Sequence, residues 1–251
     1  MTPVIYRSAA KTARITLNRP DRLNAINAEL ARAFADALSK AAKDPGVEVV
    51  LIEAAGRAFC AGDDLVELTA GALDDGVMTR FVEDLQSATR TIMLGDKPVV
   101  CAAQGWIVGG GAAWLLNADF TIVSDDAVMF CPEAKHGLFP TGGVSLLLAE
   151  RCGHAVANDV LWLGEKLDAP RMVERQIASR VTPRDGLADA AEDLVRRLLD
   201  LPAASRTRLK RSRGGQLAQR LEAAMAFEAA RCLEAGADPG LQARIASGGW
   251  R

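Results

Sequence analysis

Two stretches of small residues hold the strongest candidates for chemistry. FCAGDDL (59–65) and IVGGGAA (107–113) each follow a run that predicts a strand, and each turns toward a predicted helix. A helix start leaves backbone N–H groups without intrahelical partners. Glycine lets a ligand approach the main chain with no Cβ in the way. Two such turns facing one point aim two N–H donors at one oxygen, which stabilises an oxyanion as it forms. Gly109, Gly110 and Gly111 also fit a plain strand-to-helix turn, or a phosphate cradle. Against the cradle, GWIVGGG is neither GxGxxG nor GxxxxGK followed by Ser or Thr, and no acid ends a second strand at the dinucleotide spacing.

Other reactive side chains form no recognisable set. His136 and His154 lack a paired metal-ligand spacing, so no metal is expected. The five cysteines are scattered with no CxxC, which fits a reducing, cytoplasmic setting; Cys60 and Cys131 read as small hydrophobes. No Ser–His–Asp order surrounds Ser145 or His154. Glu133 closes a short strand and, taken alone, reads as a surface acid at a helix start. RTRLKRSR (206–213) has five basic residues in eight, but 30 Lys and Arg against 32 acids leave a net charge of −2, which argues against nucleic acid. A solvated face is the default for it. No signal peptide or apolar membrane-length run is read.

The elements that must position these residues alternate. Strands are predicted at 13–18, 47–55, 98–103, 118–124, 127–133 and 178–183. Helices are predicted after Asn27, a candidate N-cap, and over 78–94, 109–117, 144–164 (broken at Cys152–Gly153), 185–201 and 214–236. This is an α/β pattern of repeated βα units with a helical C-terminal third. The tail ASGGWR is expected to fray.

Four pieces in order resemble the enoyl-CoA hydratase/isomerase (crotonase) superfamily, from about Ile15 to Leu209: NRPDRLNAIN, RAFCAGDDL, KPVVCAAQGWIVGGGAA, and ADFTIVSDDAVMFCPEAKHGLFPTGG. The resemblance implies a crotonase-like spiral of repeated ββα units. It also implies a core over 1–200 and a C-terminal helical oligomerisation region over 201–251, assembled as a trimer or a dimer of trimers. It implies an acyl-CoA thioester as substrate, with coenzyme A as part of it and no separate cofactor. By position, the N–H groups of Asp63 and Gly110 would hold the thioester oxygen. Asp63 departs from the small or apolar residue usual there, and its carboxylate is expected to point away, because an inward charge would repel an enolate. Arg22, Leu23, Ala25, Ala61 and Leu65 would lie near the adenine and phosphates, with RTRLKRSR a further phosphate candidate. Gly109, Trp106 and Thr141 would border the acyl group, and Trp114 could narrow its pocket.

The resemblance places one acid at Ala113 and another at Glu133 in hydratases. Here the first is alanine and the second is present, while Thr141 stands where some members carry a further acid. A single carboxylate suits a proton shuttle: Δ3-enoyl-CoA to Δ2-enoyl-CoA isomerisation, with Glu133 in surroundings made apolar by Trp106, Phe130, Leu138 and Phe139. The alternatives are hydration of a 2-enoyl-CoA by Glu133 alone, and a non-catalytic CoA-binding protein.

Overall fold

The chain is described by a computed structural model over residues 2–64 and 75–246. A hairpin opens it. β1 (Val4–Ala9) pairs antiparallel with β2 (Thr12–Leu17) across Ala10 and Lys11, both in the left-handed region. Four parallel neighbours follow: β3 (Val49–Ala54), β4 (Val99–Ala103), β6 (Phe120–Ser124) and β9 (Arg180–Thr182), giving the order β1-β2-β3-β4-β6-β9. A second sheet joins β5 (Trp106–Val108), β7 (Val128–Phe130) and β8 (Leu167–Asp168).

Alternation along the parallel strands decides what each face covers. Val50, Ile52 and Cys101 face the main core with α1 (Ala28–Lys43) and α2 (Asp75–Leu94). Val49, Leu51, Val100 and Ala102 pack on the other side against Leu194, Val195 and Leu198 of α7 (Leu187–Leu199). Asn27 caps α1, its side chain accepting from the Leu30 N–H at 2.9 Å. The remaining helices are α3 (Gly110–Asn117), α4 (Glu133–His136), α5 (Val144–Leu163), α6 (Ala169–Glu174), α8 (Ala203–Gly236) and α9 (Pro239–Ala246). The break expected at Cys152–Gly153 is real: Gly153 sits at φ 78° inside α5.

The last long helix begins eleven residues before the expected 214. Gly214 and Gly215 weaken the helical pattern by about 1 kcal/mol each. Packing overrides that cost, because Gly214 lets α8 lie close to α2, where an added Cβ would stand 3.1 Å from the Met93 carbonyl oxygen. The RTRLKRSR segment lies inside α8 and is not simply a solvated face. Arg206 is buried on Glu48, and Lys210 is buried with its Nζ 2.6 Å from Asp119, which Arg213 also meets at 2.5 Å. Those cations neutralise acids of this chain. The strands β1, β5 and β8 were not expected; β5 and β8 are too short for a periodic signal, and β1 does not alternate. Within the described residues, no helix is long and apolar enough to cross a membrane. Of the tail, only Ala246 lies within the described residues.

Candidate active site

The first turn, after β2, is tied to the second, after β3, by buried polar side chains. Asn24, at φ 55°, donates to the carbonyls of Ala55 and Ala58 at 2.9 Å each. Arg19 meets Asp64 at 3.2 Å. These ties bring Ile26 beside Asp63 in a parallel bridge. The Ile26 N–H donates to the Gly62 carbonyl and the Ile26 carbonyl accepts from the Asp64 N–H, both at 2.8 Å. In such a bridge the residue between the two bonds turns its own N–H to the opposite edge. The Asp63 N–H accordingly makes no backbone hydrogen bond among the described residues.

The opposite edge is the glycine turn. Cys60 bridges Ile107, which fixes β5 beside the second turn. Gly109 has φ 52° and ψ −115°, a conformation that L side chains rarely adopt, and its N–H is used by the Phe130 carbonyl at 3.2 Å. Gly110 opens α3, and its N–H also makes no backbone hydrogen bond among the described residues. A β-carbon on Gly110 would stand 2.6 Å from Ile26 Cδ1. Two amides from separate turns thus have no backbone partner among the described residues.

Glu133 approaches the same turn from α4. Its Oε1 lies 2.7 Å from where a β-carbon on Gly109 would be, so only glycine leaves the carboxyl its place. Its Oε2 is shut from solvent with no hydrogen-bond partner among the described residues. Burial, then the negative charges of Asp63 and Glu228, push its carboxyl up to about 7. A carboxyl so placed holds a proton loosely at neutral pH.

A cavity of about 440 Å³ joins these groups. Leu23, Ala61, Asp63, Trp106, Gly109 and Glu133 line it, as do Phe130 and Leu138. Gly110 adjoins it through Gly109. Arg22, Ala25 and Thr141 are not in its wall. Arg22 is exposed with its Nε 3.9 Å from Asp64, and the Ala25 carbonyl is taken by Arg19. Leu65 lies outside the described residues. Phe139 turns instead to Phe227, with ring centroids 5.8 Å apart, and Trp114 is buried on Phe34 at 4.2 Å. Neither aromatic ring shapes the cavity.

One expectation about direction fails. The Asp63 carboxyl does not point away. Asp63 lines the cavity, its Oδ1 is shut from solvent without a partner among the described residues, and that oxygen stands 3.4 Å from where a β-carbon on Gly110 would be. Burial pushes this carboxyl up to about 6. Ile26 Cδ1 fills the space that a β-carbon on Gly110 would take, and the Asp63 carboxyl lies beside it.

Ala113 is buried one turn along α3, its Cβ 3.0 Å from where a β-carbon on Gly142 would be. Sequence reasoning missed the group that holds this neighbouring loop. Glu228 on α8 is fully buried and accepts from the N–H groups of Gly143 at 2.7 Å and Ser145 at 2.9 Å, and from the Ser145 hydroxyl at 2.6 Å. It also missed Lys166, whose Nζ sits 5.0 Å from the ring centroids of both Trp106 and Phe130 at the cavity wall, and His136, which lines the same wall. No motif marks any of the three. Cys60 and Cys131 are buried and their thiols are pushed up, Cys60 to about 12, so they behave as small hydrophobes. Among the described residues, no group of three or more His, Cys, Asp or Glu could hold a metal ion.

Known proteins resemble the chain over most of its length. A family described as Enoyl-CoA hydratase/isomerase matches residues 7–238. The chain is 36% identical over 193 residues to a 1,2-epoxyphenylacetyl-CoA isomerase of Escherichia coli (strain K12), covering 75% of this chain and 72% of that protein. It is 30% identical over 203 residues to a probable enoyl-CoA hydratase of Rhizobium meliloti (strain 1021), covering 80% and 77%. The crystal structure of an enoyl-CoA hydratase/isomerase from Pseudoalteromonas atlantica T6c superposes with a TM-score of 0.87 at 28% identity, covering 98% of this chain and 96% of that one.

Proposed function

Because the chain belongs to the enoyl-CoA hydratase/isomerase family, with its crotonase fold, we propose that it isomerises a Δ3-enoyl-CoA to the Δ2-enoyl-CoA, with Glu133 as the proton shuttle. The observation that carries this reading is Glu133 itself. It is a buried carboxyl raised to about 7, with one oxygen unpartnered among the described residues, beside two amides that no described backbone group uses. Helix α3 offers no acid of its own in its first turn.

In this reading the thioester oxygen accepts from the N–H groups of Asp63 and Gly110. The Glu133 carboxylate takes a proton from C2. The C–H electron pair forms the C1–C2 double bond, and the carbonyl π pair moves onto oxygen. The resulting dienolate carries charge at C2 and C4. Glu133, now the acid, returns the proton at C4, and the double bond comes to rest between C2 and C3. Losing one amide donor of this kind costs about 2.7–4 kcal/mol of transition-state stabilisation. Leu23 and Ala61 support placing the coenzyme A portion at the mouth formed by the first two turns, since both line the cavity. Coenzyme A enters as part of the substrate.

The test is appearance of the conjugated thioester from a Δ3-enoyl-CoA, followed by absorbance with wild type and Glu133→Gln. Most of the rate should vanish in the variant. Equal rates would remove Glu133 from the mechanism, and faster hydration of a 2-enoyl-CoA than isomerisation would make the protein a hydratase.

A further inference from the structure

The side chain of Asp63 has no part in the mechanism above, yet the fold leaves it inside the site. Its carboxyl carbon is three bonds from the amide nitrogen that faces the cavity. Its Oδ1 lies against Gly110, the source of the other amide, and makes no hydrogen bond among the described residues. The carboxyl is therefore confined to the neighbourhood of any oxygen held by both amides.

Ionised, Asp63 would repel an enolate forming there, and each amide would stabilise two competing negative charges. Neutral, it can carry its O–H on Oδ1, which has no partner among the described residues, and a new acceptor arrives with the substrate. A carboxylic acid kept neutral by its surroundings is an effective donor to an enolate. We propose that the Asp63 side chain, as the neutral acid, gives the thioester oxygen a third hydrogen bond beside those from the N–H groups of Asp63 and Gly110. The proposal rests on the reading that these amides hold a thioester oxygen.

Burial favours the neutral form of Asp63, and several titratable groups surround it. On its own turn lies Cys60, whose thiol stays protonated. From α4 come Glu133 and His136, from α8 come Glu228 and Cys232, and Lys166 lies across the cavity before β8. Burial raises the Asp63 carboxyl to about 6, and the charge of Asp63 helps to raise Glu133 to about 7. The singly protonated apo site therefore keeps its proton mainly on Glu133, and the productive arrangement, Glu133 ionised and Asp63 protonated, is the one that an acceptor oxygen beside Asp63 selects.

The experiment compares wild type, Asp63→Asn and Asp63→Ala in the full chain, with a Δ3-enoyl-CoA, from about pH 5.5 to about pH 9. Wild type should lose rate on the alkaline side. Asp63→Asn keeps a neutral donor of the same shape, so it should be several-fold slower at its optimum and lack that alkaline fall. Asp63→Ala should be slower by a further tenfold or about that, and a thermal unfolding transition checks that it folds. If it does not, the Asp63→Asn profile decides. An unchanged alkaline limb in Asp63→Asn overturns the proposal, as does full activity in Asp63→Ala. So does Asp63→Asn as damaging as Glu133→Gln, which would mean that Asp63 transfers a proton.

A second arm separates this idea from the isomerase reading. Butyryl-CoA binding is measured by calorimetry in two buffers of different ionisation enthalpy. Greater proton uptake in wild type than in Asp63→Asn supports the neutral donor even if no Δ3-enoyl-CoA is turned over. Equal uptake overturns it. No binding to wild type overturns both readings.

Discussion

Asp63 and Glu133 stand against adjacent glycines of one turn: Asp63 Oδ1 lies 3.4 Å from where a Gly110 β-carbon would be, and Glu133 Oε1 lies 2.7 Å from that of Gly109. Glu133 occupies the volume that the missing side chain of Gly109 leaves, and Asp63 lies in contact with Gly110. Neither orphan oxygen, Oδ1 of Asp63 or Oε2 of Glu133, has a hydrogen-bond partner among the described residues. Two buried acids held this way are costly to the apo protein, and the cost makes sense if a ligand arrives to use them.

Glu133→Gln should lower kcat by about 100-fold or more, the usual range for losing a positioned general base. The amide keeps the size of the side chain but cannot take a proton. Steady-state rates on a Δ3-enoyl-CoA check this, with unchanged affinity for a saturated acyl-CoA showing that the cavity survives.

The rate should depend on pH on the acid side through Glu133. A base must be ionised, and burial holds this carboxyl up to about 7. The value of kcat/KM should therefore fall as pH drops through that region, with a slope approaching tenfold per pH unit. A profile flat down to pH values near an ordinary carboxylate would contradict the placement of Glu133.

Stability should move the opposite way. Because the folded-state value of Glu133 is raised from 4.5 to about 7, its contribution is fully present below the unfolded value and lost as pH rises through the folded one. Glu133→Gln should thus stabilise the apo protein at pH 8 by about 2–3 kcal/mol and do little near pH 4. Denaturant unfolding at the two pH values measures the difference.

Gly109→Ala should separate folding from function. The new β-carbon meets Glu133 Oε1 in a backbone region that suits only glycine. The carboxyl must shift, and activity should drop by about tenfold or more. Far-ultraviolet circular dichroism should stay near that of wild type.

Glu228→Ala should destabilise the fold by about 2–4 kcal/mol, because the N–H groups of Gly143 and Ser145 lose a buried acceptor. The loss should show as a lower Tm. It should also loosen the Gly142–Gly143 turn beside Ala113, visible as faster amide exchange there.

Local rules made much of the fold legible. Asn27 before an apolar repeat meant a cap, Gly153 meant a break in α5, and small residues after β3 and β4 meant turns with amides to spare. Pro132–Glu133 could be matched to a family pattern by spacing alone. Each of these is a property of backbone geometry over a few residues, which residue type encodes directly.

What the tertiary structure alone decided was where side chains face and what meets them. The inward turn of Asp63 follows from a bridge to Ile26 and contact with Gly110, 37 and 47 residues away in the chain. Arg206 and Lys210 are buried because Glu48 and Asp119 lie beneath α8, not because of their neighbours in sequence. Phe139 left the cavity for Phe227, while Lys166 and Glu228 arrived from distant helices and turns. Direction and partnership come from long-range packing, and one sequence read locally carries no record of it.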